Sequence, residues 1–335
     1  MSISTNISTR HADGSILIRG HDFNDMIENF SYEKIAYCLL YEKEPSDEEL
    51  IQFNERGTLV RRMTAESLKT GQQRFFASPI ITLQSLSASI LIYYDDWDYI
   101  NQLLMSMCTF YRYPIRVMDN YESQLQWMIS HDGYPINHES YFVGLMNLYS
   151  ENAAQASTLV ARAVASTKAE TPTACSAAFG AMSGLEESKQ LELVLPWVQE
   201  MTFATYRQKL KDMYERGYIF HGFAVQQESK NYYAKTAKKI AELLSDRQER
   251  YGALFQLAAC IEEELALLGN LYPTLDYYTA LSLSFLEIPA GSFSIFYAFS
   301  RITGIIAHIG EQRLSKEVLS INFPMIGFNN PSTEA

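Results

Sequence analysis

An all-α fold is what this sequence predicts, on three observations. Glycine and proline are sparse, at 16 and 10 of 335 residues, so few positions are marked as breaks. Long stretches repeat apolar residues at spacings of three and four, the period of a buried helix face. Alternation of the strand type is confined to the opening, around residues 15–19.

Taken in order, residues 33–41 carry Ile35, Ala36, Leu39 and Leu40 on one helical face. Ser46 stands before Asp47, Glu48 and Glu49, an N-cap followed by acids at the positive end of a helix dipole. Residues 234–244 and 251–268 repeat the helical period, and Gly269 with Asn270 supplies a stop. The tail from Asn329 is polar and expected to fray. The 22 tyrosines and 18 phenylalanines, scattered at helical spacing, read as core.

Composition narrows the function classes. Apolar residues make up 47% and charged residues 20%, enough to bury a core and against disorder. The net charge of −12, without a lysine- or arginine-rich block, gives no electrostatic footprint for nucleic acid or an anionic membrane. Cys38, Cys108, Cys175 and Cys260 lack C-x-x-C spacing and read as reduced thiols. The six histidines show no ligand spacing, so no metal is expected. The start is polar and no apolar run approaches the ~18 residues that cross a bilayer, so a cytoplasmic protein is expected.

Four stretches carry a family likeness in order. R-G-H-D-F-N-D-M-I-E-N-F-S-Y-E-K-I-A-Y-C-L-L-Y (residues 19–41) is similar to Y-R-G-Y-D-I-E-D-L followed by F-E-E-V-A-Y-L-L. Q-A-S-T-L-V-A-R-A-V-A-S-T (155–167) resembles N-A-S-T-F-A-A-R-V-V-A-S-T, and L-Y-P-T-L-D-Y-Y-T-A-L-S-L (271–283) resembles L-Y-P-N-V-D-F-Y-S-G. F-S-R-I-T-G-I-I-A-H-I-G-E-Q (299–312) resembles A-R-T-A-G-W-I-A-H-W-x-E-Q. The chain thus resembles the citrate synthase family over nearly its whole length. The resemblance implies a homodimer of helical subunits, with a large domain (1–184 and 288–335) and an inserted small domain (185–287) that closes over substrate.

It also implies a chemistry. In the family an aspartate deprotonates an acyl-CoA, a histidine holds the enol oxygen, and a second histidine polarises the ketone of oxaloacetate. Carbon acids are weak, so proton removal has to be coupled to stabilisation of the oxyanion. The family's aspartate matches Asp276, a general base or, on the plainer reading, a helix-capping carboxylate. Where the family has G-P-L-H-G-G-A-N-E, residues 180–188 read G-A-M-S-G-L-E-E-S, with Ser183 at the enol-holding histidine. Ser183 would donate a hydrogen bond as a catalytic residue, or simply open the pocket.

The ketone-polarising histidine falls on Ala224 and the carboxylate-binding arginine on Tyr233. His221 lies three residues early, a structural turn histidine unless the loop rearranges. H-A-D-H-E-L-N-A-S-T becomes Y-S-E-N-A-A-Q-A-S-T, giving Tyr149 and Asn152 as neutral hydrogen-bonding groups. Arg301 matches a substrate-holding arginine, whereas the later R-P-R arginine has no counterpart in residues 319–327. One arginine suits a monocarboxylate or neutral carbonyl compound better than a dicarboxylate.

No cofactor is certain. A CoA thioester stays open, but Lys235, Lys238 and Lys239 have the spacing of an ordinary solvated face. The expectation is therefore a divergent acyltransferase- or lyase-type enzyme of specialised biosynthesis, forming or breaking a carbon–carbon bond with Asp276 as base and a substrate other than oxaloacetate. The alternatives are an inactive homologue acting as scaffold or metabolite binder, and a CoA-independent cyclase, decarboxylase or dehydratase.

Overall fold

The structure, a computed structural model, describes residues 4–11, 15–68, 78–90, 93–112, 114–130, 139–225, 232–315 and 318–319. It is mostly helical, as the periodicity predicts. The opening forms a small antiparallel sheet of β1 (Ser8–Arg10), β2 (Ile16–Ile18) and β3 (His21–Asp22), with Ser8 opposite Ile18 and Leu17 opposite Asp22. Asp22 then accepts from the backbone N–H groups of Asn24 and Asp25 and so starts α1 (Phe23–Asn29).

Ser31 caps α2 (Tyr32–Tyr41) in the same way. At the head of α3 (Asp47–Leu68), Ser46 Oγ accepts from the Glu49 N–H at 3.3 Å, and Glu49 Oε2 accepts from the Ser46 N–H at 2.9 Å. This is a reciprocal capping box. The chain continues through α4 (Pro79–Ser89), α5 (Asp96–Tyr111), α6 (Tyr121–Ile129), α7 (Glu139–Tyr149), α8 (Ala156–Ser166) and α9 (Thr171–Met182). Next come α10 (Lys189–Gln199), α11 (Tyr206–Glu215), β4 (Phe223–Ala224), α12 (Tyr232–Ser245), α13 (Glu249–Gly269), β5 (Tyr272–Pro273), α14 (Leu275–Phe285) and α15 (Phe293–Leu314). Asn270 ends α13 in the left-handed region at φ 51°, the stop predicted there.

The organising element is α15, in which every residue from 293 to 309 is buried. By length and composition it could cross a membrane, which the sequence reading did not anticipate; instead it forms the core, packed by α2, α7, α8, α9 and α10. Its carbonyls are also served from outside the helix: the Tyr32 and Tyr121 hydroxyls donate to Phe299 O at 2.9 and 3.0 Å. Cys38, Cys108 and Cys175 are buried free thiols and Cys260 is half-buried. Burial pushes Cys38 up to about 11 and Cys108 up to about 12, which keeps both protonated and unreactive.

Candidate active site

Two helix ends and the middle of a third helix, α15, converge to make the site. The last residue of α7 is Tyr149, and the chain turns there into the loop holding Glu151 and Asn152. Helix α15 can lie against this turn because residue 304 is glycine; a Cβ there would collide with the Ser150 carbonyl oxygen. That close approach places Arg301, one turn earlier, where its Nη1 donates to Tyr149 O at 2.9 Å.

The other end is the start of α14. Thr274 Oγ1 accepts from the Asp276 N–H at 3.3 Å, and the carboxylate lies in the first turn, where the helix dipole favours negative charge. Two links hold this end in place. Strand β4 pairs with β5, Ala224 facing Tyr272, and the Thr274 N–H donates to Gly222 O at 2.8 Å. Gly222 has φ 87°, and a Cβ would sit 2.9 Å from Val194 and 3.1 Å from Tyr277.

These ends surround a cavity of about 510 Å³. Five of the residues singled out from the sequence line it: Tyr149, Asn152, Tyr233, Asp276 and Arg301. The Tyr149 hydroxyl donates to Asp276 Oδ1 at 2.7 Å. Burial pushes the Tyr149 phenol well above its ordinary value and the Asp276 charge adds to the effect, so the phenol stays protonated as a donor. Its ring packs edge-on against Phe296 and Tyr297. Arg301 is 3% exposed and its Nε has no hydrogen-bond partner among the described residues. Asn152 Oδ1 accepts from the Ala154 N–H at 3.0 Å, and burial pushes the Tyr233 phenol up.

Two of the expected residues are placed elsewhere. Ser183 is the C-cap of α9 and its hydroxyl donates to Gly180 O at 2.7 Å, a bond within its own turn. It does not line the cavity. His221 also lies outside, with Nδ1 3.1 Å from Gln190 Oε1 and its carbonyl accepting from the Trp197 indole at 3.3 Å. Burial pushes its imidazole down, toward the neutral form. Lys235 and Lys239 are exposed, whereas Lys238 pairs with Glu262 at 2.8 Å.

Gln155, Arg10 and Glu151 are among the lining residues that were not foreseen. Gln155 donates to the Tyr297 hydroxyl at 3.2 Å, and Arg10 reaches the cavity from β1. Glu151 lines the wall while its Oε1 lies 2.7 Å from Nε2 of the fully buried His308. Burial opposes charge on His308, but its carboxylate neighbours Glu151 and Glu311 outweigh it and raise the imidazole above its ordinary value. Both Glu151 and His308 stand inside the family-like stretches, which was the available signal.

Solved citrate synthases share this fold. That of Thermotoga maritima superposes with a TM-score of 0.82 at 20% identity, covering 99% of this chain and 95% of the other. A ternary complex of the Thermoplasma acidophilum citrate synthase with carboxymethyl coenzyme A and oxaloacetate gives 0.78 at 19% identity, covering 99% and 95%. A helical, citrate synthase-type fold is thus the class that these likenesses define. The sequence model described as citrate synthase, C-terminal domain, matches residues 1–321, and the chain belongs to the citrate synthase family. Among its relatives, the 2-methylcitrate synthase of Shewanella oneidensis is 24% identical over 96% of this chain and 92% of its own length. The citrate synthase of Synechocystis is 25% identical over 96% and 87%.

Proposed function

We propose that this chain is a divergent enzyme of the family in which Asp276 takes or returns a proton beside a carbonyl, forming or cleaving a carbon–carbon bond on a substrate other than oxaloacetate. One observation carries the reading: a protonated Tyr149 hydroxyl holds Asp276 inside a cavity that also contains a buried arginine. The carboxylate is the base, and Tyr149 fixes the direction in which it points. Donation to a carboxylate also weakens it as a base, so the developing oxyanion needs compensating donors. Asn152 and Gln155, both on the cavity wall, are the neutral amides at hand. Arg301 anchors an acid group of the substrate, because a buried guanidinium with an unmatched N–H favours an anion.

The departure from oxaloacetate chemistry rests on the residues themselves: among the described residues, no histidine lines the cavity. Residues 185–287 as a closing lobe and a homodimeric assembly belong to the same proposal. A CoA thioester stays open as the acyl donor. The test is proton exchange in heavy water with a panel of acyl-CoAs and keto acids, followed by mass spectrometry. Deuterium entering the α-carbon with wild type and not with Asp276→Asn supports the base. Absence of exchange with every compound sinks it.

The lack of a lining histidine also favours a second reading, a metabolite-binding homologue without turnover. It predicts saturable binding of a keto acid to both wild type and Asp276→Asn, with no exchange in either.

A further inference from the structure

We propose that Arg10 is a ligand-binding residue of the Asp276 cavity, holding the outer acid group of a dianionic substrate whose inner carboxylate meets Arg301; this deepens, and rests on, the anion-anchoring reading given above. The observations start with the strand. Ile7, next to β1, is fully buried, and its carbonyl accepts from the Arg19 N–H at 2.8 Å. The Asn6 N–H donates to Glu311 Oε1 at 2.6 Å, and Arg162 donates to Ser4 O at 2.9 Å. The segment leading into β1 is therefore pinned to α15 and α8, and the hairpin forms one wall of the cavity through Ser8, Thr9, Arg10 and Ile16.

Arg10 is exposed at this wall, and Arg301 is buried in the same cavity. The arginines in ion pairs among the described residues are Arg19, Arg56, Arg162, Arg207 and Arg250. Neither cavity arginine is one of them. Tyr233 lines the cavity too; burial pushes its phenol up and the Glu151 charge adds to this, while Arg10 and Arg301 oppose it. Tyr233 stands where the sequence lost a carboxylate-binding arginine. Arg10, on β1, is a cation that lines the same cavity as Tyr233.

Two guanidinium groups facing one cavity of about 510 Å³ suit a small ligand with an acid group at each end. The monocarboxylate expectation counted a single arginine, because strand β1 is remote in sequence from every site motif.

The test is isothermal titration of succinate and propionate, as dianionic and monoanionic probes, into wild type, Arg10→Gln and Arg301→Gln. Wild type should bind succinate more tightly than propionate, and Arg10→Gln should weaken succinate about ten-fold, the size of one charged hydrogen bond, while leaving propionate unchanged. Arg301→Gln should weaken both. An exposed arginine is replaced in the first variant, so its melting temperature should match wild type. Equal succinate affinity in wild type and Arg10→Gln, or no binding of either acid to wild type, overturns the assignment. Failure of the enzyme reading shows differently, as intact succinate binding with no Asp276-dependent exchange.

Discussion

Tyr149 donates its hydroxyl to Asp276 Oδ1 at 2.7 Å, joining the end of α7 to the start of α14. The carbonyl of the same tyrosine accepts from Arg301 at 2.9 Å. One residue that the family resemblance would have as histidine therefore touches both of the polar groups retained from the family pattern. Replacing it with phenylalanine keeps the ring contacts with Phe296 and Tyr297 and removes only the hydroxyl. Loss of a hydrogen bond to a charged group corresponds to roughly ten- to hundred-fold, and the Asp276-dependent exchange rate of Tyr149→Phe should fall by that much. An unchanged rate would show that the carboxylate is held by other means.

Asp276→Asn tests the base itself. General-base catalysis contributes about 10²–10⁴-fold, and the variant should lose activity on that scale. Its fold should survive, because an acid in a first helical turn contributes only ~0.3–1 kcal/mol. Far-ultraviolet circular dichroism and a thermal melt alongside the kinetics separate the two effects. A large drop in melting temperature would point to a structural role instead.

The Glu151–His308–Glu311 cluster gives the stability a pH signature. His308 is raised in the folded state, so its contribution is complete below its ordinary value of 6.5 and is lost as pH rises through the folded value. Glu311 is held down to about 2 against an ordinary 4.5: burial works against this, and the neighbouring His308 and the Asn6 N–H outweigh it. Its contribution is present above 4.5 and fades as pH falls toward 2. Breaking the buried pair with His308→Gln should cost about 3–5 kcal/mol where the pair is charged. Urea midpoints of wild type and variant across this range should differ most between 4.5 and 6.5 and converge at higher pH. A constant difference would mean that packing, not charge, is what His308 provides.

Two glycines of α15 make an internal comparison. At Gly304 a Cβ meets the Ser150 backbone, and at Gly310 it meets nothing within 4 Å. Gly304→Ala should destabilise by about 1–3 kcal/mol, as overpacking does, and shift the Tyr149–Asn152 loop enough to impair the site. Gly310→Ala should stabilise by up to ~1 kcal/mol from helix propensity alone. Thermal melts of the pair settle whether α15 lies as close to the site loop as the structure has it.

Helices were legible where local chemistry speaks for itself: the Ser46 cap, the α13 stop at Asn270 and the apolar face of α2. The sheet was only half visible, because β1 and β3 are two or three residues long and carry no alternation to detect. The site divides along the same line. Tyr149, Asn152, Tyr233, Asp276 and Arg301 meet in one cavity, and each stands at a position that family motifs mark. Ser183 was inferred by register alone and His221 as a nearby histidine three residues out of register, and local bonds to Gly180 and Gln190 take their polar atoms instead. Arg10 was not legible at all: its place at the cavity depends on contacts between the N-terminal segment and α15, with Asn6 and Glu311 separated by 305 positions.

The burial of α15 also orders events in time. Translation delivers residues 293–314 after every helix they pack against, so α2 to α10 leave the ribosome without the element that fills the space between them. Until then their apolar faces have only one another and water, and collapse in that interval is necessarily non-native at the centre. Nascent chains arrested before Phe293 should therefore be the species that molecular chaperones hold longest, and the cavity around Asp276 takes shape only when Arg301 has arrived.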